Sequence, residues 1–184
     1  MNEHQTLDLR SPWVISIHEL VRRPGELKEF RREIPAPAGV SVELVGVLEG
    51  SPIDVDLRLE SVSEGVLATG TLSAEFVGEC SRCLGAVRED RDFDLQELYY
   101  YPGHDAEEDA LFVVDEHIDL DPPMRDAIVL ELPFSPLCRE DCLGLCPVCG
   151  FNLNDDPDHD HGEQIDPRWA GLQSFQSEDA SEKS

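Results

Sequence analysis

The sequence predicts an α+β protein: an antiparallel β meander or partial barrel with a few short helices and a C-terminal zinc-bound module. Three observations predict it. Apolar and acidic or basic residues alternate strictly over Ile53-Asp54-Val55-Asp56-Leu57-Arg58-Leu59-Glu60, and further β-like runs flank this stretch. Met124, Ile128 and Leu132 recur four residues apart in an apolar run that Pro133 closes, which is a helical signal. Four cysteines fall within residues 138–149, and two histidines follow at His159 and His161.

Taken in order, residues 1–12 are polar and expected to be loose, and Pro12-Trp13-Val14-Ile15-Ser16-Ile17 reads as a short strand. A helical turn is expected over His18–Val21 and another over Glu26–Arg32, after Pro24-Gly25. From Val40 the period becomes two, so Val40–Leu48 is expected as a strand, followed by a turn at Gly50-Ser51-Pro52. Ile53–Glu60 and the long run Val66–Val77 are the next strands, separated by Glu64-Gly65. Val87–Tyr99 returns after the turn that contains Cys80 and Cys83, and Leu111–Val114 is a short strand. Asp119–Pro123 leads into the helix Met124–Leu132. A last helix is expected to start at Asp166-Pro167-Arg168-Trp169, with Asp166 as N-cap and Pro167 in the first turn. The expected organisation is a flexible segment 1–12 and a β-rich core 13–137 with an acidic loop near 102–110. A zinc-knuckle and helix segment 138–176 and a disordered acidic tail 177–184 follow.

Composition narrows the function. With 40 acidic and 14 basic residues the net charge is −26, which argues against a broad nucleic-acid-binding face, because phosphates are recognised by Lys and Arg. A basic partner suits such a chain better. Residues 92–124 hold eleven acids and no Lys or Arg, and His104–Asp109 reads as an exposed acidic loop. Arg22, Arg23, Lys28, Arg31 and Arg32 form the one basic patch, expected to be a solvated face or an internal counter-charge. There is no apolar run of membrane-spanning length and no basic-then-apolar leader, so a cytoplasmic location is expected. In a reducing compartment six cysteines arranged largely as C-x2-C pairs point to metal rather than to disulfides.

Cys146-Pro147-Val148-Cys149-Gly150 is a zinc-knuckle sequence, in which the proline stiffens the turn and the glycine permits the tight backbone after it. Cys80-Ser81-Arg82-Cys83 sits at a hairpin tip, where a turn projects both sulfurs from the sheet. No βαβ pattern surrounds it, so a thioredoxin-like redox pair is not expected. Thiolates with imidazoles favour zinc over calcium or magnesium. Asp158 and Asp160 are conceivable catalytic carboxylates, but alternation with the histidines points them to solvent, and no nucleophile–base set or phosphate-binding glycine loop stands out. The chain is therefore expected not to be an enzyme.

Gly78-Glu79-Cys80-Ser81-Arg82-Cys83-Leu84, Leu132-Pro133-Phe134-Ser135-Pro136-Leu137-Cys138, Gly144–Asn154 (G-L-C-P-V-C-G-F-N-L-N) and Asp166–Trp169 together resemble the YceD family over roughly residues 10–175. That resemblance implies a role in large ribosomal RNA subunit accumulation, without an assigned chemical activity. Where many relatives carry C-x-C this chain has His159-Asp160-His161, so the two imidazoles stand as ligands by substitution.

Six cysteines and two histidines are enough for two tetrahedral structural zinc ions. In one partition Cys80 and Cys83 join Cys138 and Cys142, while Cys146 and Cys149 join His159 and His161. The first pairing also accords with the family resemblance. In another, Cys138, Cys142, Cys146 and Cys149 form a single centre and Cys80 and Cys83 remain free thiols. Charge favours two sites: Arg82 and Arg139 can offset a four-thiolate centre, and a neutral two-thiolate, two-imidazole centre suits a loop with Asp155, Asp156, Asp158 and Asp160. Both would be closed and structural. The expected role is a non-enzymatic factor that engages a basic ribosomal protein or assembly partner, with direct RNA contact weak; a thiol/zinc redox switch is the alternative.

Overall fold

The computed structural model describes residues 7–104, 107 and 110–162. The chain divides into two compact units with the boundary between Glu140 and Asp141. The acidic stretch 105–109 lies, apart from Glu107, outside the described residues, as do the helix expected at Asp166 and the C-terminal tail.

The first unit is built on strands β1 (Val14–Ser16), β2 (Leu27–Pro35), β3 (Val45–Val47), β4 (Pro52–Ser61), β5 (Gly65–Glu79), β6 (Ala86–Tyr100), β7 (Leu111–Phe112) and β8 (His117–Asp119), with one helix, α1 (Asp121–Glu131). The large sheet has the order β2-β4-β5-β6-β7, and β3 pairs with β5 beyond the end of β4. β4, β5 and β6 form the antiparallel meander, while β7 joins β6 in parallel, so the sheet is mixed. β1 and β8 make a separate two-stranded ribbon with Ile15 opposite Ile118. Among the described residues one α-helix is present, fewer than the several expected; residues 18–21 form a hydrogen-bonded turn instead.

Alternation places the core. Ile53, Val55, Leu57 and Leu59 of β4 are buried, whereas Asp54, Asp56 and Arg58 face water. Leu72 and Phe76 of β5 and Phe93, Leu95 and Tyr99 of β6 continue the same face. Met124 and Ile128 of α1, with Leu132 just after it, are buried on the expected four-residue spacing. The helix begins at Asp121 rather than Met124, because Pro122 and Pro123 occupy first-turn positions that need no amide donor. Asp121 also pairs with Arg125 at 3.0 Å, one turn on. Arg91 of β6 donates to the Glu131 carbonyl at 3.1 Å and so supplies the positive charge that the helix C-terminus lacks in its own last turn.

Two expectations need correction. Glu26–Arg32 is not a helical turn: Leu27–Pro35 is a nine-residue strand paired with β4, Phe30 opposite Leu57 and Ile34 opposite Ile53. The helix preference of Glu, Leu and Lys is worth only tenths of a kcal/mol per residue, and nine residues of sheet pairing outweigh it. Val40–Leu48 is not one strand either. The chain folds back on itself, with Val42 N–H donating to Val45 O and Val47 N–H to Val40 O, each at 2.9 Å. Gly46 is required at the crossing, since a Cβ there would run into Ser41.

Candidate metal centres

The first knuckle closes the β5–β6 hairpin. Cys80 N–H donates to Gly85 O at 2.7 Å and Leu84 N–H to Cys80 O at 2.9 Å. Leu84 takes a left-handed conformation, φ 58°. The second unit repeats this pattern: Cys146 N–H donates to Phe151 O at 2.7 Å, Gly150 N–H to Cys146 O at 2.8 Å, and Gly150 has φ 74°. Residues at the same offsets play the same parts, four residues past each leading cysteine for the left-handed turn and five past it for the carbonyl.

The repeat extends to the sulfurs. The backbone N–H groups two and three residues on, at Arg82 and Cys83, point at the Cys80 sulfur, as those of Val148 and Cys149 point at Cys146. Burial, the largest influence on Cys80, raises its pKa, but these donors with the Cys138 N–H and the Cys83 thiol outweigh it and bring it to about 6. At Cys146 the Cys149 N–H is the leading cause of a lowered pKa, followed by Val148 N–H, with burial opposing. Two amide donors aimed at one sulfur favour a thiolate, the form that ligates metal.

In the first unit the sulfurs of Cys80, Cys83 and Cys138 lie within 4.8 Å of one another, Cys80 and Cys83 buried and Cys138 exposed. Ser81 N–H holds the Cys138 segment by donating to Pro136 O at 2.8 Å. Cys83 and Cys138 sulfurs are 3.6 Å apart. That is far beyond a disulfide bond of about 2.05 Å and close to the ~3.8 Å edge of a tetrahedron with metal–sulfur bonds of about 2.3 Å. Cys142 belongs to the second unit, where it is buried and accepts a hydrogen bond from Asn154 Nδ2 at 3.4 Å.

The second unit gathers Cys146, Cys149, His159 and His161, again with ligand atoms within 4.8 Å of one another. Cys149 Sγ is 3.2 Å from His159 Nε2 and 3.1 Å from His161 Nε2, and the two nitrogens are 3.0 Å apart. A tetrahedron of this donor set has sulfur–nitrogen and nitrogen–nitrogen edges of about 3.6 and about 3.3 Å. The second set is drawn somewhat tighter than those edges, and both sets of donors could hold a metal ion. Cys146 is buried, His159 half-buried, and Cys149 and His161 are exposed. Asp158 and Asp160 are exposed on the intervening loop.

Sequence reading missed the side chains that support these ligands. The Phe151 ring stacks on His159, and Asn154 hydrogen-bonds to Asn152 and to the loop that carries Cys142. The G-F-N-L-N run at 150–154 is the available signal, but asparagine is not a ligand type, so nothing in the run itself marks a metal-site role.

Away from the sulfurs, the outer face of the large sheet is strongly acidic. Its cross-strand rows read Glu33-Asp54-Ser73-Asp92 and Arg31-Asp56-Thr71-Asp94 from β2 to β6. Ser73 Oγ donates to Asp92 at 2.6 Å, and a groove of about 510 Å³ lies beside Asp54, Glu75, Asp90 and Asp92. The basic patch is largely engaged within the unit. Arg31 meets Asp56 at 3.0 Å, Lys28 meets Glu19 at 3.3 Å, and the Arg32 guanidinium lies 5.3 Å above the Phe30 ring.

No helix among the described residues is long and apolar enough to cross a membrane. The family described as "Large ribosomal RNA subunit accumulation protein YceD" matches residues 68–176. A protein of Mycobacterium tuberculosis H37Rv is 52% identical over 167 residues, which cover 88% of this chain and 80% of its own. YlbN of Bacillus subtilis is 31% identical over 132 residues, covering 70% of this chain and 77% of its own. The maize "Large ribosomal RNA subunit accumulation protein YCED homolog 1, chloroplastic" is 27% identical over 158 residues, covering 79% of this chain and 47% of the plant protein. No solved structure matches the chain. The match spans both knuckles and more than half of the sequence, and the chain belongs to the YceD family.

Proposed function

We propose that the chain is a non-enzymatic, zinc-stabilised cytoplasmic factor that supports accumulation of the large ribosomal subunit and its 23S RNA through contacts with a basic ribosomal protein or assembly partner. The observation that carries this reading is the family match over residues 68–176, the part of the chain that holds both knuckles. The maize relative's name refers to the same process.

Zinc is proposed because thiolates and imidazoles form both donor sets, and soft or borderline ligands select it over harder cations. Cys142 is proposed as the fourth ligand of the first centre. It follows Cys138 by four residues, a reach of at most about 14 Å along the chain, and the grouping of Cys138 with Cys80 and Cys83 leaves a single centre at Cys138–Cys149 short of one thiol. Each ion, when bound, supplies structural cross-linking. The first would close the chain between Cys83 and Cys138, which restricts the unfolded state more than it restricts the fold.

The acidic outer face of the sheet supports a Lys- and Arg-rich protein partner over naked RNA, because nine acids of β2, β4, β5 and β6 face water there (Glu29, Glu33, Asp54, Asp56, Glu60, Glu75, Asp90, Asp92 and Asp94). The test titrates zinc-loaded chain separately with large-subunit RNA and with basic large-subunit proteins at near-physiological salt. The expected result is protein binding that weakens as salt rises, with weak RNA binding. Tight RNA binding that disappears when Arg22, Arg23, Arg31 and Arg32 are neutralised would overturn it. The exposure of Cys149 favours one further reading, a thiol/zinc redox switch. That reading requires stoichiometric peroxide to release metal reversibly and to change partner binding.

A further inference from the structure

The segment Gly150–Asn154 contributes no metal ligand, yet it touches the ligands of one centre and a proposed ligand of the other. Phe151 lies against the His159 imidazole, ring centroids 4.5 Å apart and planes inclined by 24°. Its carbonyl accepts from Cys146 N–H at 2.7 Å. Three residues on, Asn154 Nδ2 donates to the Cys142 sulfur at 3.4 Å and to Asn152 Oδ1 at 2.7 Å. Asn154 Oδ1 accepts from Leu143 N–H at 2.9 Å. Leu153 N–H donates to Gly144 O at 3.0 Å, and Leu145 bridges Asn152, so the segment is zipped to the stretch between Cys142 and Cys146.

We propose that Phe151 and Asn154 are positioning residues that couple the two metal centres, so that loading one raises the affinity of the other. The inference rests on the reading that Cys142 ligates the first centre. A ligating imidazole holds metal best when its ring orientation is fixed, and the stacked Phe151 ring fixes that of His159. A thiolate in a four-thiolate centre carries excess negative charge, which an amide N–H offsets; Asn154 supplies one to Cys142. Both side chains hang from one five-residue strap. Metal at the second centre orders the strap through Cys146 and His159, and the ordering cost of Asn154 is then already met when the first centre fills. The coupling must be reciprocal.

The test is cobalt(II) and zinc(II) titration of the metal-free full chain, with chelator competition for affinities. Cobalt ligand-field and charge-transfer bands separate a four-thiolate centre from one of two thiolates and two imidazoles. In the wild-type chain the two spectra are expected to grow in together. Asn154→Asp keeps the oxygen that caps Leu143 N–H but removes the donor to Cys142. It is expected to weaken the first centre roughly tenfold to a hundredfold and to separate the two spectral phases. Phe151→Ala is expected to weaken the second centre by about tenfold and to separate the phases likewise, while Phe151→Tyr, which keeps the stack, restores joint loading. Two bound metals with affinities unchanged in Asn154→Asp and Phe151→Ala would overturn the coupling and leave the two-centre reading standing. A wild-type chain that binds one metal or none would reject both.

Discussion

Leu84 and Gly150 occupy the same place in two copies of one turn, and only one of them suits it. A left-handed conformation costs an L-residue about 1–2 kcal/mol, which Gly150 avoids and Leu84, at φ 58°, does not. Leu84 is 60% exposed, so little packing compensates. Leu84→Gly is therefore expected to raise the stability of the first unit by about 0.5–1 kcal/mol after allowing for the added backbone freedom of glycine. Equilibrium denaturation with metal bound checks this; a loss of stability would mean that the Leu84 side chain has a packing role. Glu97 offers a second residue-level test. Burial, and then the nearby Asp126 carboxylate, raise its pKa in the folded state. A raised carboxylate pKa means that the folded chain binds more protons than the unfolded one over the interval between the two values. Stability then falls as pH rises through that interval. Glu97→Gln removes the effect, so the variant is expected to be more stable than wild type at pH 7 and equal to it below the ordinary glutamate range, at about pH 3. Comparing the two chains at each pH cancels any loss of metal in acid. A difference that persisted unchanged at low pH would assign the effect to shape rather than charge.

Among the elements, β5 is the one on which the first unit depends, since β3, β4 and β6 all pair with it. Gly70 sits at its middle, opposite Leu57 and Leu95, with φ 154°, and a Cβ there would run into the Asp56 carbonyl oxygen and lie 2.9 Å from Leu57 Cα. Backbone cannot yield as a flexible side chain can, so Gly70→Ala is expected to cost roughly 2–3 kcal/mol, read as a lower denaturation midpoint with an unchanged slope. A neutral result would show that β4 and β5 can separate locally. The central strands were legible in the sequence because burial on one face imposes a period of two, and β4 through β6 follow it. β2 was not, because it lies at the sheet edge. Lys28, Phe30 and Arg32 share the face of Ile34, and only Ile34 is buried, so alternation is nearly erased. β8 and the fold-back at Val40–Val47 are set by partners distant in sequence or by a single glycine contact, and neither leaves a periodic trace. The cysteine and histidine clusters stood out in the sequence because those residue types at knuckle spacing have few other uses, and their role as ligands is proposed. The supporting Phe151 and Asn154 are common residue types whose roles exist only in three dimensions.

For the whole molecule, charge dominates. At −26 the chain repels itself, and Lys and Arg ion pairs such as Arg31–Asp56, Arg58–Glu60, Arg88–Glu75 and Arg91–Glu89 are short-range and mostly exposed, each worth little. Added salt screens both contributions, but the two have different reach. Paired charges 3–4 Å apart are well inside a Debye length of about 10 Å at 0.1 M, whereas like charges across the sheet face are separated by distances comparable to it. Cross-strand neighbours such as Asp54 and Asp92, two strands apart through Ser73, belong to the second class. Screening should therefore relieve more repulsion than it removes attraction. The thermal midpoint of the zinc-loaded chain is expected to rise as sodium chloride goes from about 10 mM to about 300 mM, where the Debye length shrinks from about 30 Å to below 8 Å. Neutralising Asp54 and Asp92 together, as Asn, should flatten that rise. If the proposed basic partner docks there, the same change should also weaken capture of a Lys-rich protein, because the surplus charge that strains the free sheet face would then be what attracts it. A midpoint that falls with salt would show that the local pairs outweigh the long-range repulsion. A double variant that kept full affinity for basic proteins would move the docking face away from the sheet.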